Sequence, residues 1–455
     1  MQLPEQFKKV MAQTLGEAYA GYIRALEQPP FRGLRINTLK ADAEQVLLKL
    51  ALQTKRTPFC TDGYYIDSNL SGLGNHPLHH AGAFYLQEPS AMAAVTALAP
   101  QPGERILDLC AAPGGKATQI AAAMQKTGVL VANEVVPGRA RTLCANMERL
   151  GVSNAIVTNA DPQTLGRALP GYFDRILVDA PCSGEGMIRR QPQVLEQWSE
   201  KNRLSCQQRQ LHILNEADQM LRPGGCMVYS TCTLSGEENE QVIAMFLQMH
   251  PDYQLVPIQQ PFGRPAFDRL CKEPSIVLAR RILPQDGGEG HFVAKLQKTD
   301  RQRENVHDLH AWPASGLLKS SSGELHLFWD FYHTYFSDEP AHIVEIDGRV
   351  LLLPEQMPAL PGVHVLAAGI EAGKIVGKRF VPAHGLYMAK RSVQTLELSL
   401  QDKRIFRFLR GEELDCDYNG YCGVAVEGIC VGFGKASNGH LKNHYPKGLR
   451  IIGGR

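Results

Sequence analysis

The sequence contains no long hydrophobic run and no segment that resembles an export signal. No apolar stretch approaches the ~18 residues that a membrane span requires. The N-terminal residues, MQLPEQFKKVMAQTLGEAY, lack the apolar core of a signal peptide. These absences argue against a membrane partner and predict a cytoplasmic protein.

Clustered cysteines and a large net charge are also absent. The 11 cysteines are an odd number spread through the chain, which argues against a disulfide framework. No CxxC pair or zinc-finger spacing occurs, so we predict no metal site. The net charge is only +2, and any affinity for nucleic acid must therefore come from local basic patches.

What is present is typical of a globular protein of several domains. The chain has 455 residues, of which 44% are hydrophobic and 21% charged, and its length predicts about three domains of ~150 residues. Changes of composition and of periodicity divide it into an α+β domain (1–75), an α/β domain (76–300), a polar linker (301–325), a small β-rich domain (326–394) and a second β module (395–455). The first domain has a basic edge that includes Arg35, and we interpret it equally well as a packing module or as an RNA-contacting domain.

The second domain alternates strand-like and helix-like segments, which predicts a Rossmann-like parallel sheet. Within it, the stretch RILVDAPCSG (175–184) reads as a buried strand that ends at Asp179 and leads into a turn carrying Cys182. Ligands bind beyond the carboxyl ends of such strands, so both residues lie where chemistry is expected. Taken alone, a helix-capping Asp and an inert buried Cys explain the stretch equally well.

A glycine-rich loop, CAAPGGK, follows the first strand of this domain, RILDL. Gly114 and Gly115 allow a ligand to approach the backbone at a helix N-terminus, although the loop is neither GxGxxG nor a Walker A motif. Glu134, Asp161 and Asp179 follow three further strands and suit a ribose diol, an adenine amine and the reacting end of a ligand. Three carboxylates favour a cofactor with a nucleoside and a positive charge, so S-adenosylmethionine fits better than NAD.

Two cysteines add a nucleophile to this site. Cys182 follows the fourth strand and Cys232 the fifth, so both should face one cleft. Cytosine carbon 5 is too weak a nucleophile to accept a methyl group directly, but a thiolate that attacks carbon 6 makes carbon 5 enamine-like. A second group must then remove the carbon-5 proton. A cysteine pair beside a carboxylate suits these steps, whereas a redox pair is disfavoured by the lack of CxxC spacing.

Three motifs resemble the NOL1/NOP2/Sun family of RNA cytosine-5 methyltransferases. They are LDLCAAPGGK (107–116), DAPCSGEGM (179–187) and STCTLSGEENE (230–240). The segments LRINTLK and YLQEPSAM are similar to the N-terminal region of the family. The segments RFVPAHGLYMA and GFGKASNGHLKNHYPKGLR resemble a bacterial branch that methylates 16S ribosomal RNA. One departure is His291, where many relatives carry Phe.

The resemblance implies a class I methyltransferase core with an N-terminal α+β domain and C-terminal PUA-like RNA-binding modules. It implies that Cys232 is the nucleophile, that Cys182 assists product release and that Asp179 positions the cytosine. The DNA enzymes instead use the cysteine of the PC motif, so this assignment comes from the resemblance alone. The implied cofactor-binding residues are Cys110, Ala111, Ala112, Pro113, Gly114, Gly115, Lys116, Glu134, Asp161 and Asp179.

Basic clusters in the C-terminal half predict an RNA-binding surface. Residues 371–410 hold nine Lys/Arg against three Asp/Glu, and residues 435–455 hold five and no acid. Basic side chains bind phosphates and aromatic ones stack on unpaired bases, although a single cluster is more often a solvated face. The predicted RNA contacts are Arg35, Lys435, Lys442, Lys447 and Arg450, and the interleaved aromatic residues are Phe433, His440, His444 and Tyr445.

We therefore expect a monomeric S-adenosylmethionine-dependent enzyme that forms 5-methylcytidine in 16S ribosomal RNA, either as naked RNA or within the small subunit, during ribosome biogenesis. The alternatives are a tRNA or DNA cytosine-5 methyltransferase and a non-catalytic RNA-binding assembly factor. The intact cysteine pair argues against the assembly factor, because binding alone needs neither thiol.

Overall fold

The computed structural model describes residues 3–299 and 325–451. The predicted linker, residues 301–325, lies outside the described residues except for Leu325, where a helix begins. Among the described residues, no helix combines the length and the apolar character that a membrane crossing demands.

The N-terminal region is built on an antiparallel sheet flanked by helices. The helices are α1 (Glu5–Leu15), α2 (Tyr19–Leu26), α3 (Ala43–Leu50) and α4 (Pro77–His80), and the strands are β1 (Arg32–Ile36), β2 (Lys55–Arg56), β3 (Gly63–Ile66) and β4 (Phe84–Gln87). The four strands lie in the order β2-β3-β1-β4. Because β4 pairs with β1, this sheet extends past residue 75, where the sequence placed the end of the domain.

The central region alternates strands and helices as predicted. Its helices are α5 (Ala93–Leu98), α6 (Gly115–Ala123), α7 (Pro137–Arg149), α8 (Pro162–Ala168), α9 (Val194–Gln197), α10 (Glu200–Met220) and α11 (Glu240–Met249). Its strands are β5 (Arg105–Asp108), β6 (Val129–Asn133), β7 (Ala155–Thr158), β8 (Phe173–Asp179), β9 (Leu221–Thr231), β10 (Tyr253–Leu255), β11 (Arg264–Pro265), β12 (Arg280–Ile282) and β13 (His291–Lys298).

These strands form one sheet whose order reverses in the middle. Strands β7, β6, β5, β8 and β9 are neighbours in that order and run parallel, and β13 is antiparallel to β9. Helices cover both faces, and the strands bury apolar residues alternately on each: Leu107 and Ile176 pack on one face, Ile106 and Leu177 on the other. This arrangement confirms the predicted Rossmann-like core. The reversal between β5 and β8 is a switch point at which a ligand crevice opens.

The C-terminal region adds two further sheets, as its β-rich sequence predicted. Its helices are α12 (Leu325–Tyr335), α13 (His384–Ala389) and α14 (Arg404–Arg410). Its strands are β14 (Ile343–Ile346), β15 (Arg349–Leu352), β16 (Val365–Ala368), β17 (Ile370–Val376), β18 (Arg379–Pro382), β19 (Thr395–Leu398), β20 (Leu414–Asp415), β21 (Gly420–Val426), β22 (Ile429–Ser437) and β23 (His440–Asn443). The sheet orders are β14-β15-β17-β18 and β19-β21-β22-β23-β20.

One strand of this region leaves its own domain and joins the central sheet. The sequence assigned the run VHVLAAGI (363–370) wholly to the small β-rich domain, but β16 pairs with β7 at the edge of the core. Gly369 divides the run: its φ is +58°, and a Cβ there would lie 2.0 Å from the Leu352 carbonyl oxygen. Only glycine fits this bend, so the chain passes from one sheet to the other at this residue.

Candidate active site

The glycine loop lies at the carboxyl end of β5, where it begins helix α6. Gly114 has a φ of +113° and precedes the first residue of the helix. The Ala112 carbonyl accepts a hydrogen bond from Arg139, and the Pro113 carbonyl accepts one from Asn146, so two residues of α7 hold the loop from outside. The first amide groups of α6 have no partner within the helix, so the start of this helix suits a ligand with negative or polar groups.

Four acidic residues line the same edge of the sheet. Asp108 and Asp179 are the last residues of β5 and β8, Glu134 follows β6, and Asp161 lies just beyond β7. Glu134 is buried, accepts a hydrogen bond from the amide of Val136 at 2.9 Å and faces a guanidinium of α7 at 3.3 Å. The structure thus brings the three predicted acids together and adds Asp108, which the sequence analysis did not single out.

Asp108 is the most unusual of these acids. It is fully buried, and neither carboxylate oxygen reaches a hydrogen-bond donor at normal geometry among the described residues. Burial, together with repulsion from Asp179, raises the pKa of Asp108 to about 8. An unsatisfied buried carboxyl beside a glycine loop fits a cationic ligand such as S-adenosylmethionine. Its signal in the sequence was an acid within RILDL, and like Asp179 it is the last residue of its strand.

Asp161 has a structural role that the sequence analysis did not assign to it. Its carboxylate caps helix α8, accepting hydrogen bonds from the amide of Thr164 at 3.1 Å and from the hydroxyl at 2.6 Å. These hydrogen bonds hold the pKa of Asp161 below its ordinary value. The side chain is exposed at the rim of the crevice.

An ion pair joins the two loops that meet at the switch point. Nζ of Lys116 lies 2.8 Å from Oδ2 of Asp179, and the other oxygen of Asp179 accepts a hydrogen bond from the hydroxyl of Ser230 at 2.7 Å. Burial opposes the charge on Lys116, but attraction to Asp179 and, to a smaller extent, to Cys232 leaves its pKa raised. Lys116 therefore places a positive charge beside both the carboxylate and the thiol.

The two predicted cysteines lie side by side beyond β8 and β9. Their Sγ atoms are 3.4 Å apart, and both residues are partly exposed to the crevice. The amide of Gly186 donates to the carbonyl of Cys232 at 2.9 Å, which ties the two loops together. Contact with the sulfur of Cys232, reinforced by burial, raises the pKa of Cys182. Cys182 therefore retains its proton and can donate it to the neighbouring sulfur.

Arg35 does not lie on the surface, and its prediction as an RNA contact is wrong. The side chain is 1% exposed. Its guanidinium donates to the carbonyl of Gly115 at 3.2 Å and to the hydroxyl of Thr118 at 2.8 Å, and Nε donates to Gln87. Arg35 thus connects the N-terminal sheet to the first turn of α6. Strand alternation placed it on one face of β1, but the neighbouring domain covers that face.

The C-terminal basic residues fall into two groups. Five of the nine basic residues at 371–410 lie in ion pairs, which are Lys390–Asp338, Arg391–Glu397, Arg404–Asp402, and Arg407 and Arg410 with Glu412. By contrast, Lys435 and Lys442 are exposed, lie directly opposite each other on β22 and β23, and have no ion pair among the described residues. Lys447 is exposed as well, whereas Arg450 is half-buried near the Tyr445 carbonyl.

The interleaved aromatic residues are less available than the sequence suggested. Phe433 and Tyr445 are 3% and 2% exposed, so the expectation that they stack on bases is wrong. Phe433 instead stacks on Tyr387 of α13, with ring centroids 4.5 Å apart. His440 remains exposed and faces Asp415 at 3.4 Å, and His444 is half-buried against Phe433. Phe433 is covered by the preceding C-terminal domain, whereas Tyr445 also contacts His80 of α4, with its hydroxyl 2.8 Å from the ring nitrogen.

Models of known families match the chain in four consecutive parts. The model described as 16S rRNA methyltransferase RsmB/F matches residues 95–297. The N-terminal domain of 16S rRNA methyltransferase RsmF matches residues 3–89, the first C-terminal domain of the RsmF rRNA methyltransferase matches residues 330–389, and the RsmF PUA domain matches residues 395–451. The last match confirms the predicted PUA-like module.

Individual relatives match over the whole chain. The ribosomal RNA small subunit methyltransferase F of Klebsiella pneumoniae is 33% identical over 98% of this chain and 96% of its own length. That of Escherichia coli O127:H6 is 32% identical over 98% and 95%. A solved methyltransferase homologue from Pyrococcus horikoshii is 34% identical, with a TM-score of 0.58 over 65% of this chain and 95% of its own. With this full-length similarity, the chain belongs to the RsmB/F family of 16S rRNA methyltransferases, on its RsmF branch.

Proposed function

We propose that the protein methylates carbon 5 of cytosine in 16S ribosomal RNA through a covalent bond between Cys232 and carbon 6. The observation that carries the proposal is the pair of thiols, Cys182 and Cys232, 3.4 Å apart, beside Asp179 at the switch point of the sheet. Membership of the family supports the substrate class, because the relatives are named for small subunit ribosomal RNA.

The chemistry needs a nucleophile, a base and a means of release. The thiolate of Cys232 forms a bond to carbon 6, and the electron pair of the 5,6 double bond moves to carbon 5. Carbon 5 takes the methyl group, a base removes the proton at carbon 5, and the bond between sulfur and carbon 6 breaks. These steps restore the double bond and the thiolate. Asp179 lies where it can accept a hydrogen bond from the ring nitrogen or the amine of the cytosine.

The environment of the two thiols supports the division of labour that the resemblance implies. Cys182 retains its proton because its pKa is raised, so it can donate to the Cys232 sulfur and to the departing thiolate. The ammonium of Lys116 stabilises negative charge on that sulfur. Cys232 is therefore the better nucleophile, and Cys182 assists release.

S-adenosylmethionine supplies the methyl group, carried on a positively charged sulfur. Its binding residues would be those of the glycine loop, residues 110–116, together with Glu134, Asp161 and Asp179. Asp108 belongs with them, because its buried carboxyl is otherwise unsatisfied. Amide groups at the start of α6 suit the carboxylate of the cofactor, and the acids suit its ribose and its cationic groups.

RNA binding is assigned to the exposed basic residues of the C-terminal module. Lys435 and Lys442 lie opposite each other without acidic partners, and like charges in this arrangement destabilise a sheet unless an anion binds them. We include Lys447 and Arg450 in the same surface. The target cytosine must leave any stack to reach Cys232, and a monomer contains every residue that these steps use.

Covalent trapping tests the proposal directly. Wild type, Cys182→Ala and Cys232→Ala are incubated with a 16S RNA fragment and cofactor, and RNA–protein adducts are separated under denaturing conditions. We expect adduct to accumulate with Cys182→Ala and to be absent with Cys232→Ala. The reverse pattern would make Cys182 the nucleophile. Wild type is also assayed for transfer of a labelled methyl group to 16S RNA, tRNA and DNA. Methylation of tRNA or DNA in place of 16S RNA, or no methyl transfer to any of them, would overturn the proposed substrate.

A further inference from the structure

A continuous chain of hydrogen bonds links the two loops that carry the catalytic cysteines. Oγ of Ser183 lies 2.5 Å from Oε1 of Glu238 and 2.8 Å from Oγ1 of Thr233. Oγ1 of Thr233 lies 3.2 Å from Oε2 of Glu185. Both carboxyl groups are 0% exposed. Ser183 and Thr233 each directly follow a catalytic cysteine, so this chain fixes how the two thiols are spaced.

The number of protons shared by these hydrogen-bonded side chains indicates the charge state of the two carboxyl groups. Three oxygen–oxygen contacts connect the four side chains, and each contact needs one proton to be attractive. The hydroxyls of Ser183 and Thr233 supply one proton each. If both carboxyl groups were ionised, one contact would place two lone pairs against each other. One proton on either carboxyl group would therefore give all three contacts a hydrogen bond.

The partners of the two carboxyl groups decide which one holds the proton. Glu238 accepts from the amide and the hydroxyl of Ser183 and from Nε2 of Gln210 at 3.0 Å. Burial raises the pKa of Glu238 as well, but these three donors on two oxygens oppose that effect and favour an ionised carboxylate. Apart from its contact with Thr233, Glu185 accepts one hydrogen bond, which Nε1 of Trp198 donates to Oε1 at 2.6 Å. Its other oxygen faces Thr233 and is free to carry a proton.

We propose that Glu185 is a neutral carboxylic acid that donates to Thr233 and, through Ser183, completes a chain ending at the ionised Glu238. Glu185 is thus a positioning residue, which sets the spacing of Cys182 and Cys232 without touching the substrate. The catalytic meaning of this spacing rests on the proposed function. The protonation state of Glu185 does not depend on the proposed function.

The surroundings of Glu185 agree with a neutral acid that titrates near neutrality. Burial raises the pKa of Glu185 to about 7, and repulsion from Glu238 adds to the effect. Opposing charges come from Arg203 on α10, which is itself paired with Glu237 at 2.9 Å. Tyr22 on α2 faces the same acid.

The direction of the pH effect follows from the raised pKa. The neutral form is complete below the ordinary value of 4.5, and it is lost as the pH rises through about 7. Ionised Glu185 would take the proton of Thr233, leaving the contact between the two hydroxyls without a proton. The spacing of the loops is therefore tightest in mildly acidic solution and loosens in mildly alkaline solution.

Glu185→Gln is the decisive variant, because its amide donates to Thr233 and accepts from Trp198 at every pH. Infrared difference spectra should show a protonated carboxyl band in wild type that fades as the pH rises through about 7. Glu185→Gln should lose this band and keep that of Asp108, which fades nearer pH 8. Glu237→Gln is the matched control, because it removes a neighbouring acid that is not part of this set of hydrogen bonds. It should keep the carboxyl band of Glu185. A wild-type spectrum without this band would overturn the proposal.

The spacing of the thiols is measured by the rate at which the oxidant diamide, which is reduced to a hydrazine, joins Cys182 and Cys232 in a disulfide, with the peptides identified by mass spectrometry. At about pH 6 Glu185→Gln and wild type should react within about twofold of each other, and at about pH 8.5 the variant should be several-fold faster. The ratio of the methyl-transfer rates of Glu185→Gln and wild type should rise in the same way between these two pH values. If the ratio of the variant rate to the wild-type rate were equal at both pH values, the positioning role of Glu185 would be overturned.

A third variant covers the case in which Glu185→Gln fails to fold. Thr233→Val keeps the shape of the side chain and removes the hydroxyl, and it should slow methyl transfer by about tenfold or more at all pH values. If no protein, including wild type, transfers a methyl group to RNA, the proposed function fails. The infrared and disulfide measurements still decide the inference in that case, because neither needs RNA.

Discussion

Lys116 and Asp179 form an ion pair of 2.8 Å that joins the loop after β5 to the end of β8. These two strands flank the point at which the order of the sheet reverses. The pair therefore places one positive charge beside the carboxylate of Asp179, and the same charge also interacts with Cys232.

Lys116→Met should slow both catalysis and alkylation of Cys232 by iodoacetamide. We expect a loss of about tenfold in alkylation at neutral pH and of about 10–100-fold in kcat, because the ammonium no longer stabilises the thiolate. Lys298→Met is the matched control: Lys298 pairs with Asp218 at 2.6 Å with similar exposure, at the opposite edge of the sheet. Unchanged alkylation in Lys116→Met would show that its charge does not act on the thiol.

Binding of S-adenosylmethionine should release a proton from Asp108. The pKa of this buried acid is raised to about 8, so it is neutral in the free protein below that pH. A cationic ligand favours the ionised form. Calorimetry in buffers of different ionisation enthalpy should therefore detect nearly one proton released at about pH 7 and none above about pH 9. Asp108→Asn should bind more weakly and release none. Binding by wild type without proton release would contradict this account.

Arg35→Met should destabilise the protein and weaken cofactor binding without altering how RNA binding depends on salt. Loss of the guanidinium leaves the side chain of Gln87 without its donor and removes one of the donors to the carbonyl of Gly115. The expected cost is about 2 kcal/mol in the free energy of unfolding. Arg56→Met removes an exposed arginine of the same domain and serves as the control. If the salt dependence of RNA binding fell in Arg35→Met and not in Arg56→Met, the prediction that Arg35 contacts RNA would be restored.

Lys435→Ala combined with Lys442→Ala should weaken RNA binding and reduce its salt dependence. Loss of two phosphate contacts should lower the slope of log K against log salt by about 1 to 2. The double variant Arg407→Ala with Arg410→Ala also removes two charges, but both arginines are paired with Glu412. This control should change the slope little. Equal changes in the two variants would indicate general electrostatics rather than a defined surface.

Local patterns were enough to predict that Asp179, Cys182 and Cys232 lie at one edge of the sheet. Asp179 and Cys182 follow a continuous apolar strand, and Cys232 follows the next strand of the sheet. Because parallel strands end at one edge, the order of the strands alone brings these three residues together. Glu185 and Glu238 lie inside two of the quoted motifs, DAPCSGEGM and STCTLSGEENE. Their roles depend on distances between oxygen atoms, which a motif does not encode.

Features that depend on contacts between domains were beyond the reach of sequence patterns. Arg35 sits on a short strand whose polar face could equally meet water or another domain. Phe433 lies in a run with several basic neighbours, yet it packs on Tyr387, which is distant in the chain. Burial of this kind is decided by which surfaces meet, and neither charge nor periodicity along the sequence encodes it.

The pairing of β16 with β7 has a consequence for how the protein is made. The ribosome releases the whole catalytic sheet long before it synthesises the strand that closes its edge, so a growing chain carries β7 as an open edge. Such edges pair readily with strands of other chains, and contacts between distant segments form late in folding. Truncated products that end before residue 365 would keep this edge exposed, whereas the complete chain covers it with its own C-terminal half.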